Sequence, residues 1–123
     1  MEFFEAINTN HGNLIIARQI IWAGDSASRR RGLLDHQSLG PDDGMYIVPS
    51  QWVHTFGMQF PIDIAFLDKD GRVLAIHHSL APRRLSRICF RAEGALELAA
   101  GRLRATSTEE GDVIALRATS PFP

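Results

Sequence analysis

The chain has 123 residues, of which 45% are hydrophobic and 22% charged, and a formal net charge of -1. That length suits one globular domain spanning residues 1–123, which can bury about two-thirds of its unfolded surface without metal or disulfide support. The charge balance argues against a general nucleic-acid or anionic-membrane binder, and the composition against a disordered chain.

The first element is expected after the turn residues Asn8 to Gly12. Leu14, Ile15, Ile16, Ile20 and Ile21 are rich in β-branched side chains, which predicts a strand through Trp22. Asp25 reads as the N-cap of a short helix from Ser26 to about Leu34, because its carboxylate can accept from the free amides of a first turn. This helix carries Arg29, Arg30 and Arg31. They form either a solvated basic face or, for Arg29 or Arg31, a planar fork for a buried or ligand carboxylate. Residues 35–44 have loop composition, and Met45 to Val48 make a short strand ended by Pro49.

The central stretch is Trp52 to Leu67. Its parity predicts an extended segment with His54, Phe56, Met58 and Phe60 on one side and Val53, Thr55, Gly57 and Gln59 on the other. Pro61 bends the chain, and a second strand starts at Ile62, with Ile62, Ile64 and Phe66 on one face and Asp63 and Ala65 on the opposite one. Asp68-Lys69-Asp70-Gly71 then reads as a type I turn closed by a left-handed glycine, so residues 62–67 and 72–77 form a β-hairpin.

Ser79 to Arg91 is expected to be a long connection holding Arg83, Arg84, Arg87 and Arg91. Cys89, between Ile88 and Phe90, fits inert packing better than nucleophilic chemistry. In Ala95 to Ala99 the alternation of Leu96 and Leu98 with Ala95, Glu97 and Ala99 favours a strand over the helix that propensity suggests. A short helix is expected after Gly101, around Leu103 to Thr108. A turn at Gly111-Asp112 and a closing strand from Val113 to Leu116 follow, ahead of a frayed tail over 120–123.

A single cysteine forbids an internal disulfide and fits a reducing compartment. The start Met1-Glu2-Phe3-Phe4-Glu5 shows no leader, and the apolar run from Leu14 to Trp22 is broken by Arg18 and Gln19. A cytoplasmic protein without membrane or nucleic-acid partners is expected.

The succession RRRGLL (29–34), DGMYIV (43–48), HTFGMQFPIDIAFLD (54–68) and ALELAAG (95–101), closed by GDVI, resembles the family known as domain of unknown function 192. The resemblance covers nearly the whole chain. It implies a mainly β, compact sandwich or barrel-like antiparallel domain with one or two short helices, and it supplies no catalytic residues to carry over. Where Phe56-Gly57-Met58-Gln59-Phe60 stands here, many members have an aromatic residue and a Lys-Asn pair, which this chain lacks.

The candidate ligand-binding residues are Arg31, Trp52, His54, Thr55, Met58, Asp63 and Glu97. Brought together, they would form an apolar pocket with a few polar groups, as small-molecule sites do. Each has a structural alternative. His54 can be a rim histidine, Asp63 can accept backbone amides at the corner, Arg31 and Glu97 can be an ion pair, and Trp52 and Met58 can be core or pocket wall. Three functions follow: binding of a small ligand without catalysis, docking of a protein partner on a sheet edge, or an enzyme with a His54/Asp63 acid-base pair. No cofactor is indicated. No metal site is indicated either, since the adjacent His77 and His78 point to opposite faces of a strand.

Overall fold

The computed structural model describes residues 2–25, 33 and 36–119. Its strands are β1 (Phe3–Asn8), β2 (Leu14–Ala23), β3 (Asp43–Ile47), β4 (Ile62–Leu67), β5 (Val73–Leu80), β6 (Gly94–Ala99) and β7 (Ile114–Ala118), with one helix, α1 (Arg102–Ala105). They form a single sheet in the order β5-β4-β6-β3-β2-β1-β7. Neighbours pair antiparallel except β2 and β3, which run parallel, Gln19 opposite Asp43 and Ala23 opposite Ile47. The expected antiparallel, mainly β domain is thus formed, with β2 and β3 as its one parallel pair among the described strands. The long connection after β2 allows the crossover that a parallel neighbour requires.

The sheet curls into a half-barrel, so of the two expected architectures the barrel-like one is formed. At one end its two edge strands meet: Arg72 bridges Val113, the Val73 amide donates to the Asp112 carbonyl at 2.8 Å, and the Ile114 amide donates to Gly71 at 2.8 Å. Every strand contributes to the concave core, which contains Ala6, Ile16, Ile20, Tyr46, Ala65, Val73, Leu96 and Ile114 and is plugged by Leu103 of α1. On the convex side Met45, Ile47, Ile62, Ile64, Phe66 and Ala95 pack beneath Leu33, Val53, Met58 and Ala92, which come from the connecting segments. β4 lies between both cores and is buried at all six positions. Its side chains divide as the parity predicts, Ala65 and Leu67 inward and Ile62, Ile64 and Phe66 outward.

The β4–β5 hairpin also follows its sequence. Asp68 Oδ1 accepts the amides of Asp70 and Arg72 at 2.9 and 3.0 Å, which, the Arg72 amide foremost, hold its carboxyl below the usual range. Gly71 closes the turn at φ 85°. Strand β6 takes the alternating course over the helical one, and α1 follows Gly101 as expected.

Two corrections concern the first half of the chain. β1 precedes the Asn8 to Gly12 turn and forms a hairpin with β2, an element that the acidic Glu2 and Glu5 conceal in the sequence. The expected strand over 54–60 is absent, because a turn closed by the Met58 amide on the Thr55 carbonyl at 3.1 Å, with Gly57 at φ 86°, reverses the chain. Met58 consequently points into the convex core while His54 and Phe56 face outward. Apart from Leu33, the helix expected from Ser26 to Leu34, with Arg29, Arg30 and Arg31, and the tail over 120–123 lie outside the described residues.

Gly71 is needed twice, for its left-handed backbone and because a Cβ there would collide with the Ile114 carbonyl oxygen. Gly71→Ala should therefore destabilise the fold by about 2–4 kcal/mol in urea unfolding. Gly111→Ala, at φ 94° but facing open space, should cost only about 1–2 kcal/mol. Equal losses at the two positions would show that closure of the half-barrel is not what constrains Gly71.

Candidate functional site

The central block forms one half of a two-stranded arm laid over the convex face. Residues 51–55 run antiparallel to 83–89, with His54 opposite Leu85. The Thr55 amide donates to Arg84 at 2.9 Å, the Ser86 amide to Val53 at 2.9 Å, and the Cys89 amide to Gln51 at 2.7 Å. Side chains complete the ladder. The Val53 amide donates to Ser86 Oγ at 2.9 Å, and Gln51 Nε2 donates to the Phe90 carbonyl at 2.9 Å. Thr55 holds the two segments together. Its fully buried hydroxyl donates to the Ala81 carbonyl at 2.6 Å and accepts the Arg84 amide at 2.9 Å.

Alternation along this arm divides its side chains. Val53 and Thr55 point inward, so Trp52, His54 and Phe56 point outward in a row. The rings touch, with Trp52 to His54 centroids 6.3 Å apart and His54 to Phe56 centroids 5.8 Å apart, tilted by 42° and 36°. Leu85, Ile88 and Phe90 extend the apolar surface on the partner segment. Trp52, Phe56, Leu85, Ile88 and Phe90 are between 50% and 76% exposed, and only Leu14 and Trp22 are comparable elsewhere among the described residues. Arg83, Arg84 and Arg87 lie exposed on the same segment.

The other candidates are not gathered at this face. Asp63 is fully buried on the concave side, where Oδ1 accepts the Ser79 amide at 2.8 Å and Oδ2 the Leu103 amide at 2.9 Å. It pins the end of β5 and the start of α1, the amide-accepting alternative raised by the sequence. His54 has Trp52 and Phe56 as ring neighbours and does not pair with Asp63, so the acid-base pair of the enzyme alternative is not assembled. Glu97 lies on the opposite face of the sheet from Asp63, between Met45 and Ile64, in the convex core to which Met58 also belongs. Burial pushes its carboxyl up to about 8, and no hydrogen-bond partner for it occurs among the described residues. Arg31 lies outside the described residues. Trp52, taken from the sequence as core or pocket wall, is half-exposed.

Beside the arm is a cleft of about 230 Å³ lined by Ala75, Ile76, His77, Arg87, Ile88, Cys89 and Glu110. His77 Nε2 accepts the Arg87 amide at 3.3 Å, and burial, then the Arg87 charge, lowers its pKa. Among the described residues no cluster of His, Cys, Asp and Glu is arranged to hold a metal ion, and no helix is long and apolar enough to cross a membrane. Sequence reasoning missed the Leu85 half of the arm, whose only local signal is an apolar residue between arginines.

A curled seven-stranded half-barrel sheet with one short helix and an outward aromatic arm defines a small, mainly β domain. Residues 6–116 match the family model for domain of unknown function 192, described as an uncharacterized ACR, and the chain belongs to that family. Two solved structures share the fold. One, from Sinorhizobium meliloti, bears the provisional name of a transcription regulator and is 22% identical with a TM-score of 0.76, covering 94% of this chain and 92% of its own. The other, a protein of unknown function from Novosphingobium aromaticivorans, is 20% identical with a TM-score of 0.78, covering 93% and 84%. No curated protein matches the chain.

The two buried acids generate separate expectations. Asp63→Ala strands two amides and should lower stability by about 2–4 kcal/mol, measured by urea unfolding, with Asp63→Asn losing less because it keeps one acceptor. For Glu97 the folded-state pKa of about 8 lies above the ordinary 4.5, so the fold favours the neutral form. Its contribution is complete below about 4.5 and is lost as pH rises through about 8. Glu97→Gln should flatten the fall in melting temperature across that window. Parallel wild-type and variant curves would overturn this assignment.

Proposed function

We propose that the chain, as one domain spanning residues 1–123, is a non-catalytic recognition module of the cytoplasm that docks a protein partner on the arm formed by residues 51–56 and 83–90. The observation that carries this reading is the contiguous exposed apolar row on an otherwise well-buried fold. Each large apolar side chain left in water forgoes part of the roughly 1.5–3 kcal/mol that full burial supplies. Apolar patches of this kind, rimmed by polar residues, mark interaction sites on soluble proteins. The arm is also held by backbone bonds and by the buried Thr55 hydroxyl, so a partner would meet a surface that is already ordered.

A small-ligand reading is favoured by one observation, the Glu97 carboxyl buried between Met45 and Ile64 without a described partner. The side chains proposed from sequence for that pocket divide between the two faces of the sheet, and this supports the arm over the pocket.

A photo-crosslinking amino acid placed at Phe56 in cells should trap one discrete protein, and the same probe at Trp22 should not. The purified partner should bind wild type and lose about 30-fold in affinity to the Trp52→Ala/Phe56→Ala variant, as expected for an aromatic hot spot. Unchanged affinity in that variant would overturn the proposal.

A further inference from the structure

We infer that the arm is built for an acidic segment of a protein partner, one that carries aromatic or aliphatic side chains between its carboxylates. This rests on the recognition-face reading and adds the chemistry of the occupant. The ground is charge complementarity. Two arginines elsewhere find carboxylates, Arg117 with Nη2 2.8 Å from Glu5 and Arg18 with Nε 3.8 Å from Asp42. Arg83, Arg84 and Arg87 form no ion pair with any described carboxylate, although all three are exposed beside the apolar row. The Arg84 guanidinium donates to the Arg83 carbonyl, at 3.2 Å. Glu110 shares the small cleft with Arg87 without pairing to it.

Register sets the spacing of these charges. With His54 opposite Leu85, Arg84 and Arg87 stand on either side of Leu85 along the segment that pairs with the ring row, and the Arg83 amide donates to the Thr55 carbonyl at 3.1 Å. The positive field is felt nearby, since Arg87 helps to lower the His77 pKa after burial. A chain of net charge -1 thus carries three exposed arginines on the segment that bears half of its exposed apolar row. Planar guanidinium forks match carboxylates in bidentate fashion, and the rings and aliphatic side chains supply the apolar contact.

A single-stranded nucleic acid would also meet arginine and aromatic rings. The rings of Trp52, His54 and Phe56 pack on one another at tilts of 42° and 36°, and Leu85 and Ile88 between them and Phe90 offer no stacking face, which favours the peptide. An acidic peptide uses every one of these groups.

The test measures fluorescence anisotropy of the whole chain with labelled probes. These are a 12-residue peptide of Asp, Glu, Phe and Leu, the same peptide with Gln and Asn for its acids, one with Ser for its apolar residues, and a 12-nucleotide oligo-dT. The expected result is binding of the first peptide at least about tenfold tighter than the others, weakening about tenfold from low to moderate salt. Arg83→Gln/Arg84→Gln/Arg87→Gln should lose about tenfold or more with unchanged circular dichroism, and Trp52→Ala should lose a similar amount. Equal binding of the acidic and neutral peptides, insensitive to salt and to the arginine changes but abolished by Trp52→Ala, overturns the acidic occupant and leaves the recognition face standing. Failure of all peptides also overturns it, and the crosslinked partner's dependence on Trp52 then judges the face separately. Preference for oligo-dT overturns both.

Discussion

A carboxylate inside a protein must be surrounded by donors, and the side chain of Asp63 meets that demand by accepting from two distant backbone amides. One belongs to Ser79, where β5 ends with a left-handed residue at φ 49°, and the other to Leu103 in the first turn of α1. The same two bonds therefore position the far end of the hairpin and the plug that fills the concave core. Without the plug, the curled sheet would enclose space in place of Leu103, which is fully buried.

The convex face imposes a second requirement. β4 and its neighbours are apolar on both sides, so the outer side has to be covered by the connecting segments. Val53, Met58 and Ala92 provide that cover from the paired segments around the arm. Because side chains alternate along an extended backbone, turning Val53 and Thr55 inward turns Trp52, His54 and Phe56 outward. The candidate recognition surface is thus a geometric consequence of sealing the core, used here to present an ordered row of rings. Thr55 makes the arrangement firm, since one hydroxyl serves as donor to Ala81 and acceptor for Arg84.

The buried acids of the two faces have different surroundings. Asp63 receives amide donors at both oxygens. Glu97 lies among Met45, Ile64 and their neighbours, where desolvation favours the neutral acid. Sequence alternation set both on strands, and only their surroundings distinguish them. The small-ligand idea depended on bringing these groups to one cavity, and the sheet stands between them.

Local chemistry by itself determined the elements whose signals are local. The β4–β5 hairpin follows from two alternating strands around Asp68 and Gly71, and the division of Ile62, Ile64 and Phe66 from Asp63 and Ala65 follows from a period of two. The strand nature of β6 was legible from Leu96 and Leu98, against their helix propensity. Tertiary structure alone decided the parallel pairing of β2 with β3, the meeting of the edge strands, the turn that sends Met58 inward, and the pairing of His54 with Leu85. These depend on contacts between residues far apart in the chain, or on a turn whose glycine is set by what covers the core. Alternation says which side chains share a face, and only the packed sheet says which face meets water.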